Sequence, residues 1–280
     1  MLLTRVITAV ILLVVLLAVL NWGGTIGWNF FVGIVLFAAF WEWARLTKVA
    51  NPAALGYSAV ATAVFAGLLS VAQSYQIEYP LMAFAGVFWV AFAPLCLRQV
   101  NVGVLAEKSL FLLLGLILLW GAGFALVVSK AQGVIFMLSA MAICWAADIF
   151  AYVFGRLFGR RKLAIRISPG KSWEGAIGGA LTVVALSWLL VYFSDSIPEL
   201  KNTWQVVALE KWHPVMFSVW LIVLSAYSVV GDLFESLLKR RADIKDSSHL
   251  LPGHGGVLDR IDAQLPVLPL AMLLVGAVVV

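Results

Sequence analysis

Charge is scarce in this chain. Of 280 residues only 12% are Asp, Glu, Lys or Arg, and there are just two cysteines and three histidines. Cys96 and Cys144 fall inside apolar runs, with no C-x-x-C pair and no Cys/His cluster, so zinc sites and disulfide scaffolds find no support. Both thiols are expected to pack as small apolar side chains. The low charge also excludes a disordered chain and a nucleic-acid-binding module. What is abundant is apolar: 63% of the residues are hydrophobic and mean hydropathy is +1.03, against an apolar share of about 45–50% in soluble domains. A water-soluble enzyme of this size cannot hide so much apolar surface. The composition leaves an all-α, polytopic integral membrane protein.

A helix needs about 20 apolar residues to cross a bilayer, and runs of that order recur along the whole chain. About nine transmembrane helices are predicted, near 7–21, 27–43, 55–72, 80–97, 109–128, 134–154, 174–193, 214–232 and 263–280. No small-x-small cleavage site follows the first run, which is therefore read as a membrane helix and not a signal peptide. The ninth run reaches Val280 without a polar flank, so continuation of the native chain is left open. The chain reads as one transmembrane domain over 1–280, with N-terminal spans in 1–130 and, in 134–280, the spans and loops that carry the charged motifs. Trp22, Trp28, Trp41, Trp43, Trp204 and Trp212 lie near span ends and are expected to anchor in the headgroup layers. Glu78, Glu107 and Glu199 read as solvated loop charges.

Alternate connections divide the basic residues unequally. The N-terminus and the even-numbered loops hold sixteen of the 19 Lys and Arg; Lys130, Lys201 and Lys211 are the remainder. The positive-inside rule then places the N-terminus and the basic loops in the cytoplasm and, with nine spans, the C-terminus outside.

Three constellations could carry chemistry. The first is Asp148 within the sixth apolar run, where an ionised carboxylate must face a partner helix or a water-filled cavity. Tyr152 and Arg156 follow at four-residue steps and extend a polar stripe from it. The second is Ser168-Pro-Gly-Lys171-Ser172-Trp-Glu-Gly175, which opens the seventh span. It is either an anion site at a helix start or an ordinary cap with Ser172 or Ser168 as acceptor, and Ile165 rules out a Walker A loop. The third runs from Asp232 to Asp262 and gathers six of the 14 acidic residues and two of the three histidines. On a helix, Asp232, Glu235, Ser236 and Lys239 share a face. Glycines flank His254, where backbone could approach a ligand, and Asp259 and Asp262 stand three apart. Carboxylate oxygens among many cations suit a metal ion with phosphates, since Mg²⁺ commonly takes one or two carboxylates and completes its shell with phosphate oxygens and water.

The 27 residues from Ser236 to Asp262 carry Ser236-x₂-Lys239-Arg240-x₄-Lys245-Asp246-x-Ser248-x₂-Leu251-Pro252-x-His254-Gly255-Gly256-x₂-Asp259-Arg260-Ile261-Asp262. This run resembles the signature of the phosphatidate cytidylyltransferases, the CDP-diacylglycerol synthases. Ser168–Gly175 resembles that family's shorter motif, with Gly170 and Ser172 where Lys and Thr are common in other members. The resemblance implies transfer of CMP from CTP to phosphatidate with release of diphosphate, in phospholipid biosynthesis at the cytoplasmic face of the inner (plasma) membrane. Catalytic roles are implied for Asp232, Asp259, Lys239, Arg260 and His254, and substrate or phosphate contacts for Asp148, Ser168, Lys171, Ser172, Ser236, Arg240, Lys245, Gly255 and Gly256. Mg²⁺ is the implied cofactor, with a monovalent ion such as K⁺ admitted beside it; Asp232 and Asp259 are its first candidate ligands and Asp262 and Asp246 the next. His254 is read as a phosphate or diphosphate contact more than as a base, because a phosphomonoester is largely ionised above its second pKa of about 6, with structural support of the glycine turn as the next reading. Implied partners are the two substrates and the lipid bilayer, with a homodimer admitted and no nucleic acid.

Two rival readings are weighed. A transporter would use Asp148 and the basic loops as an ion path, but transporters concentrate polar residues in broken helices at the bilayer midplane. A CTP-dependent lipid kinase, or a cytidylyltransferase for another lipid phosphate, lies closer to the motif.

Overall fold

A computed structural model of the chain describes residues 2–103 and 107–276. Among them, eight helices are long and apolar enough to cross a membrane, and a ninth, shorter apolar helix follows. The spans are α1 (Leu2–Trp22), α2 (Gly24–Arg45), α3 (Asn51–Tyr75), the segment Glu78–Gln99, α6 (Lys108–Ala131), α7 (Val134–Phe158), α8 (Trp173–Ser194) and α10 (Pro214–Arg241). The segment Glu78–Gln99 is α4 (Glu78–Val87), a π-helical turn over Phe88–Phe92 and α5 (Ala93–Gln99). Its wide turn comes just before Pro94, whose ring cannot donate to the preceding turn, and the Ala93 amide reaches back to the Phe88 carbonyl. The short helix is α12 (Gln264–Val275). The last positions of the ninth predicted span, 277–280, lie outside the described residues.

Three elements were not anticipated. A two-stranded hairpin, β1 (Lys162–Ala164) and β2 (Ser168–Ser172), leads into α8 with Lys162 opposite Ser172. The connection 195–213 folds into a 3₁₀ turn and α9 (Trp204–Lys211). A single helical turn, α11 (Leu258–Ile261), precedes α12. Helix α10 also runs nine residues past the predicted end of its span, carrying the charged face from Asp232 to Arg240 as ordered helix.

Side-chain contacts pair the connections as the alternation of spans requires. At one end Lys48 meets Asp243 at 3.1 Å and the Thr8 hydroxyl donates to the Pro252 carbonyl at 2.9 Å. At the other, the Trp212 indole donates to the Leu274 carbonyl at 3.0 Å and Lys130 reaches the Gly24 carbonyl at 3.4 Å. The outer surfaces of α1 and α3 are apolar and exposed, as lipid contact allows.

The tryptophan expectation needs correction. Trp28, Trp43 and Trp204 are buried in the core, although Trp22 is exposed. The Trp43 N–H donates to the Phe111 carbonyl at 2.9 Å while its ring stacks on Phe111, and the Trp204 N–H donates to the Ala271 carbonyl at 3.0 Å. A buried indole requires an acceptor, and backbone carbonyls of the neighbouring helices α6 and α12 supply it. Glu78 is likewise buried, in the first turn of α4, and not solvated. Glu107 caps α6, its carboxylate accepting from the Ser109 and Leu110 amides, which hold it below the usual carboxylate range. Cys96 and Cys144 are buried free thiols, as expected.

Two close approaches position the functional end. Helices α7 and α8 pack through small residues: a side chain at Gly175 or Gly179 would come within 2.6 Å of the Ala151 or Ala147 carbonyl oxygen. At Gly231 on α10, a side chain would collide with the Asp262 carbonyl and Pro266, so glycine lets the α11–α12 junction lie directly against α10.

Candidate active site

The α7–α8 and α10–α12 contacts enclose a cleft of about 530 Å³. On the α7 wall Asp148, Tyr152 and Arg156 form the expected stripe, with the Arg156 guanidinium donating to the Tyr152 hydroxyl at 3.1 Å. Asp148 lies within 3.4 Å of the Ser228 hydroxyl on α10. Both of its sequence readings therefore hold at once: it touches a neighbouring helix and it faces a cavity.

The hairpin supplies the second wall, with Ser168, Lys171 and Ser172. Glu174, in the first turn of α8, accepts from the Arg160 and Arg161 amides at 3.0 and 3.1 Å and so ties the hairpin to the helix it introduces. Ser172 caps α8, its hydroxyl accepting from the Gly175 amide at 3.2 Å. Lys171 is free of that capping and reaches across the cleft to Asp232, 2.6 Å away.

The third wall is the charged face of α10 with the turn that follows. Asp232 holds the Ser236 hydroxyl at 3.3 Å on one oxygen and Lys171 on the other. Lys239 lies between two carboxylates, 2.6 Å from Glu235 and 2.5 Å from Asp259. The other Asp259 oxygen accepts from the Gly256 amide at 2.7 Å and from the Ser247 amide and hydroxyl, both at 2.9 Å. Burial would raise the Asp259 carboxyl, but the Lys239 ammonium and these amides hold it below the ordinary range. Asp262 shows the opposite balance: burial, then the Asp232 charge beside it, pushes its carboxyl up to about 7.

The residues singled out in the sequence are thus divided. Asp148, Ser168, Lys171, Ser172, Asp232, Asp259, Arg260 and Asp262 meet at the cleft. Lys245, Asp246, His254 and Gly255 border a separate pocket of about 270 Å³, which shares Arg260 with the cleft. Ser236, Lys239, Arg240 and Gly256 line neither cavity. Arg240 is exposed at the end of α10, and Gly256 is packed where a side chain would strike Ser247 and Glu42.

The four candidate metal ligands do not converge. Asp246 borders the smaller pocket, and the Asp259 oxygens are filled by internal donors. Among the described residues no three His, Cys, Asp or Glu side chains form a cage for a cation. Asp232 and Asp262 both line the cleft, beside Asp148, and the charges of Asp232 and Asp148 act on the Asp262 carboxyl. A hard-oxygen pair of this kind fits Mg²⁺ when phosphate oxygens and water complete the shell.

One important residue was missed. Glu42, fully buried at the end of α2, accepts from the Ser247 and Ser248 hydroxyls at 3.1 and 2.5 Å and from the Val257 and Leu258 amides at 2.9 and 2.7 Å. It therefore pins both ends of the loop that carries His254 and delivers Asp259. The signal was present in Phe40-Trp-Glu42-Trp-Ala-Arg45: a carboxylate at the end of an apolar run needs a partner, by the same reasoning that singled out Asp148.

The chain is similar in sequence to known proteins. A family model described as the cytidylyltransferase family matches residues 3–278. A phosphatidate cytidylyltransferase of Pseudomonas aeruginosa is 37% identical over 284 residues, covering 99% of this chain and 98% of the relative. One from Brucella abortus is 34% identical over 269 residues, covering 92% and 87%. One from Haemophilus influenzae is 44% identical over 138 residues, 49% of this chain and 44% of that relative.

Proposed function

The chain belongs to the cytidylyltransferase family, and from that premise we propose that it transfers CMP from CTP to phosphatidate, giving CDP-diacylglycerol and diphosphate. The observation that carries the reading is the Lys171–Asp232 contact of 2.6 Å. It joins two motifs far apart in sequence into one polar cleft between membrane helices, where a lipid phosphate and a nucleotide phosphate can meet.

Phosphatidate brings its own nucleophile. One of its phosphate oxygens forms a bond to the α-phosphorus of CTP while the bond from that phosphorus to the β-phosphate oxygen breaks, and diphosphate leaves with the electron pair. No protein nucleophile is required, so the chain contributes positioning and charge. Lys171 and Arg260 neutralise phosphate oxygens, Ser168 and Ser172 orient the hairpin toward them, and Tyr152 and Arg156 meet the lipid phosphate along α7. A phosphate arriving at Lys171 takes the ammonium from Asp232 and leaves that carboxylate free for a cation.

Mg²⁺ is part of the proposal, held by Asp232 and Asp262. When bound it would neutralise phosphate charge and stabilise the attacking or leaving oxygen. Asp259 can join it only by exchanging Lys239. A homodimer and a second, monovalent ion remain parts of the same proposal; light scattering of the detergent-solubilised chain and titration with K⁺ test them.

The chain is a membrane protein by its spans. The proposed setting is the bacterial inner membrane with the cleft on the cytoplasmic side; reporter fusions at residues 100, 165 and 250 should all read cytoplasmic. The activity is tested by incubating purified protein in detergent with CTP, phosphatidate and Mg²⁺. CDP-diacylglycerol and diphosphate in equal amounts are expected, and absence of both would overturn the assignment.

A further inference from the structure

The smaller pocket lies outside the reaction cleft, and its wall includes a residue from the opposite end of the sequence. Arg5 of α1 borders it, together with Lys245, His249, His254 and Arg260, against one carboxylate, Asp246. The most apolar stretch of α1 is only 6% buried, so packing alone does not place this helix. It is fastened at its polar end: Thr8 donates to the Pro252 carbonyl at 2.9 Å, and Gly253, at φ +76°, leaves room for the Arg5 stem, which a side chain there would approach to 2.9 Å. The His254 carbonyl is occupied by Arg260, at 3.0 and 2.6 Å, whereas its Nδ1 is buried with no hydrogen-bond partner.

We propose that this pocket binds the diphosphate end of the nucleotide and, after transfer, the released diphosphate, with Arg5 as a binding residue contributed by α1. The inference rests on the cytidylyltransferase reading of the adjoining cleft. At about 270 Å³ the pocket is smaller than sites for drug-sized ligands, roughly 300–1,000 Å³, and suits a compact anion. Three permanent cations and two imidazoles against one carboxylate select negative charge. Arg260 borders both cavities, so a nucleotide held at its α-phosphate in the cleft can extend its leaving half past that guanidinium. A lipid headgroup phosphate offers the same chemistry, and the experiment separates the two sources.

The test is calorimetric titration of inorganic diphosphate into the full-length chain, in neutral detergent free of phospholipid and with EDTA present. Saturable binding is expected for the wild type. Arg5→Gln and Lys245→Gln should each weaken it about tenfold, the effect of losing one charge-assisted contact. Lys48→Gln, which removes a cation paired with exposed Asp243 on the same end of the molecule, should leave it unchanged. In turnover, Arg5→Gln should raise KM for CTP and the inhibition constant of diphosphate more than KM for phosphatidate. Failure of the wild type to bind diphosphate, or equal binding by Arg5→Gln in a chain with unchanged melting temperature, overturns the proposal. A loss confined to phosphatidate also overturns it and assigns the cations to the lipid headgroup. Diphosphate binding without product formation would uphold the pocket while removing the catalytic reading; product formation without such binding would do the reverse.

Discussion

Glu42 and Asp259 share one hydroxyl: Ser247 Oγ lies 3.1 Å from a Glu42 oxygen and 2.9 Å from an Asp259 oxygen. A carboxylate on the second span is thereby linked to a carboxylate that borders the cleft between α7, α8 and α10. Glu42 is a positioning residue, acting through the loop it pins.

Glu42→Gln keeps the shape but offers one acceptor oxygen where two served, and turns an amide N–H toward either the Val257 or the Leu258 N–H, which bond to different oxygens of the carboxylate. Hydrogen bonds to charged groups contribute roughly 1.5–3 kcal/mol each, so kcat/KM is expected to fall by about ten- to a hundredfold. The Mg²⁺ concentration for half-maximal rate should rise in the same variant. A lower melting temperature with unaltered kinetics and Mg²⁺ dependence would show a merely structural role.

Lys239 is the shared cation of two buried carboxylates. Lys239→Met leaves Glu235 and Asp259 facing each other without it, a change that costs about 3–5 kcal/mol when a buried ion pair is broken. The variant should show a much lower melting temperature in detergent. Adding Glu235→Gln should recover a large part of that stability without restoring turnover, because Asp259 still lacks its partner.

Asp232 and Lys171 behave differently, since both side chains are partly open to the cleft. Such a pair contributes about 0–1 kcal/mol to stability. Asp232→Asn should therefore melt close to the wild type while its turnover falls by about a hundredfold or more, the scale of losing one transition-state electrostatic contact. Thermal melts and product assays on the same preparation separate the two effects; a variant with wild-type turnover would remove Asp232 from the site.

The Asp259 carboxyl is held below its ordinary value in the folded chain. The stability this gives is fully present above the unfolded carboxylate pKa of about 3.9 and is lost as pH falls through the lower folded value. Asp259→Asn should therefore lie below the wild type in melting temperature at pH 6, and the gap should narrow toward pH 3. A gap independent of pH would mean that the ionised carboxylate is not what stabilises the loop.

Much of this molecule is written locally. Apolar runs long enough for a bilayer are properties of contiguous sequence, so the eight long spans were legible, as were the polar stripe from Asp148 to Arg156 and the charged face of α10, each set by helical period. What side chains face was not legible. Trp22 and Trp43 both stand at span ends, yet one is exposed and the other buried against Phe111, because position along a helix does not say which neighbour packs on it.

The same limit divides the site. Composition and spacing located the carboxylates and cations but gave no distances between segments, so Asp246 and Asp232 read as one group although they border different cavities. The sequence by itself determined the apolar spans and the charged motifs from which the proposed phosphate site is built. Only the tertiary structure decided that Glu42 holds the loop, that Lys239 serves Asp259, and that Arg5 reaches a second pocket, because each depends on side chains meeting between helices that the chain's local order does not bring together.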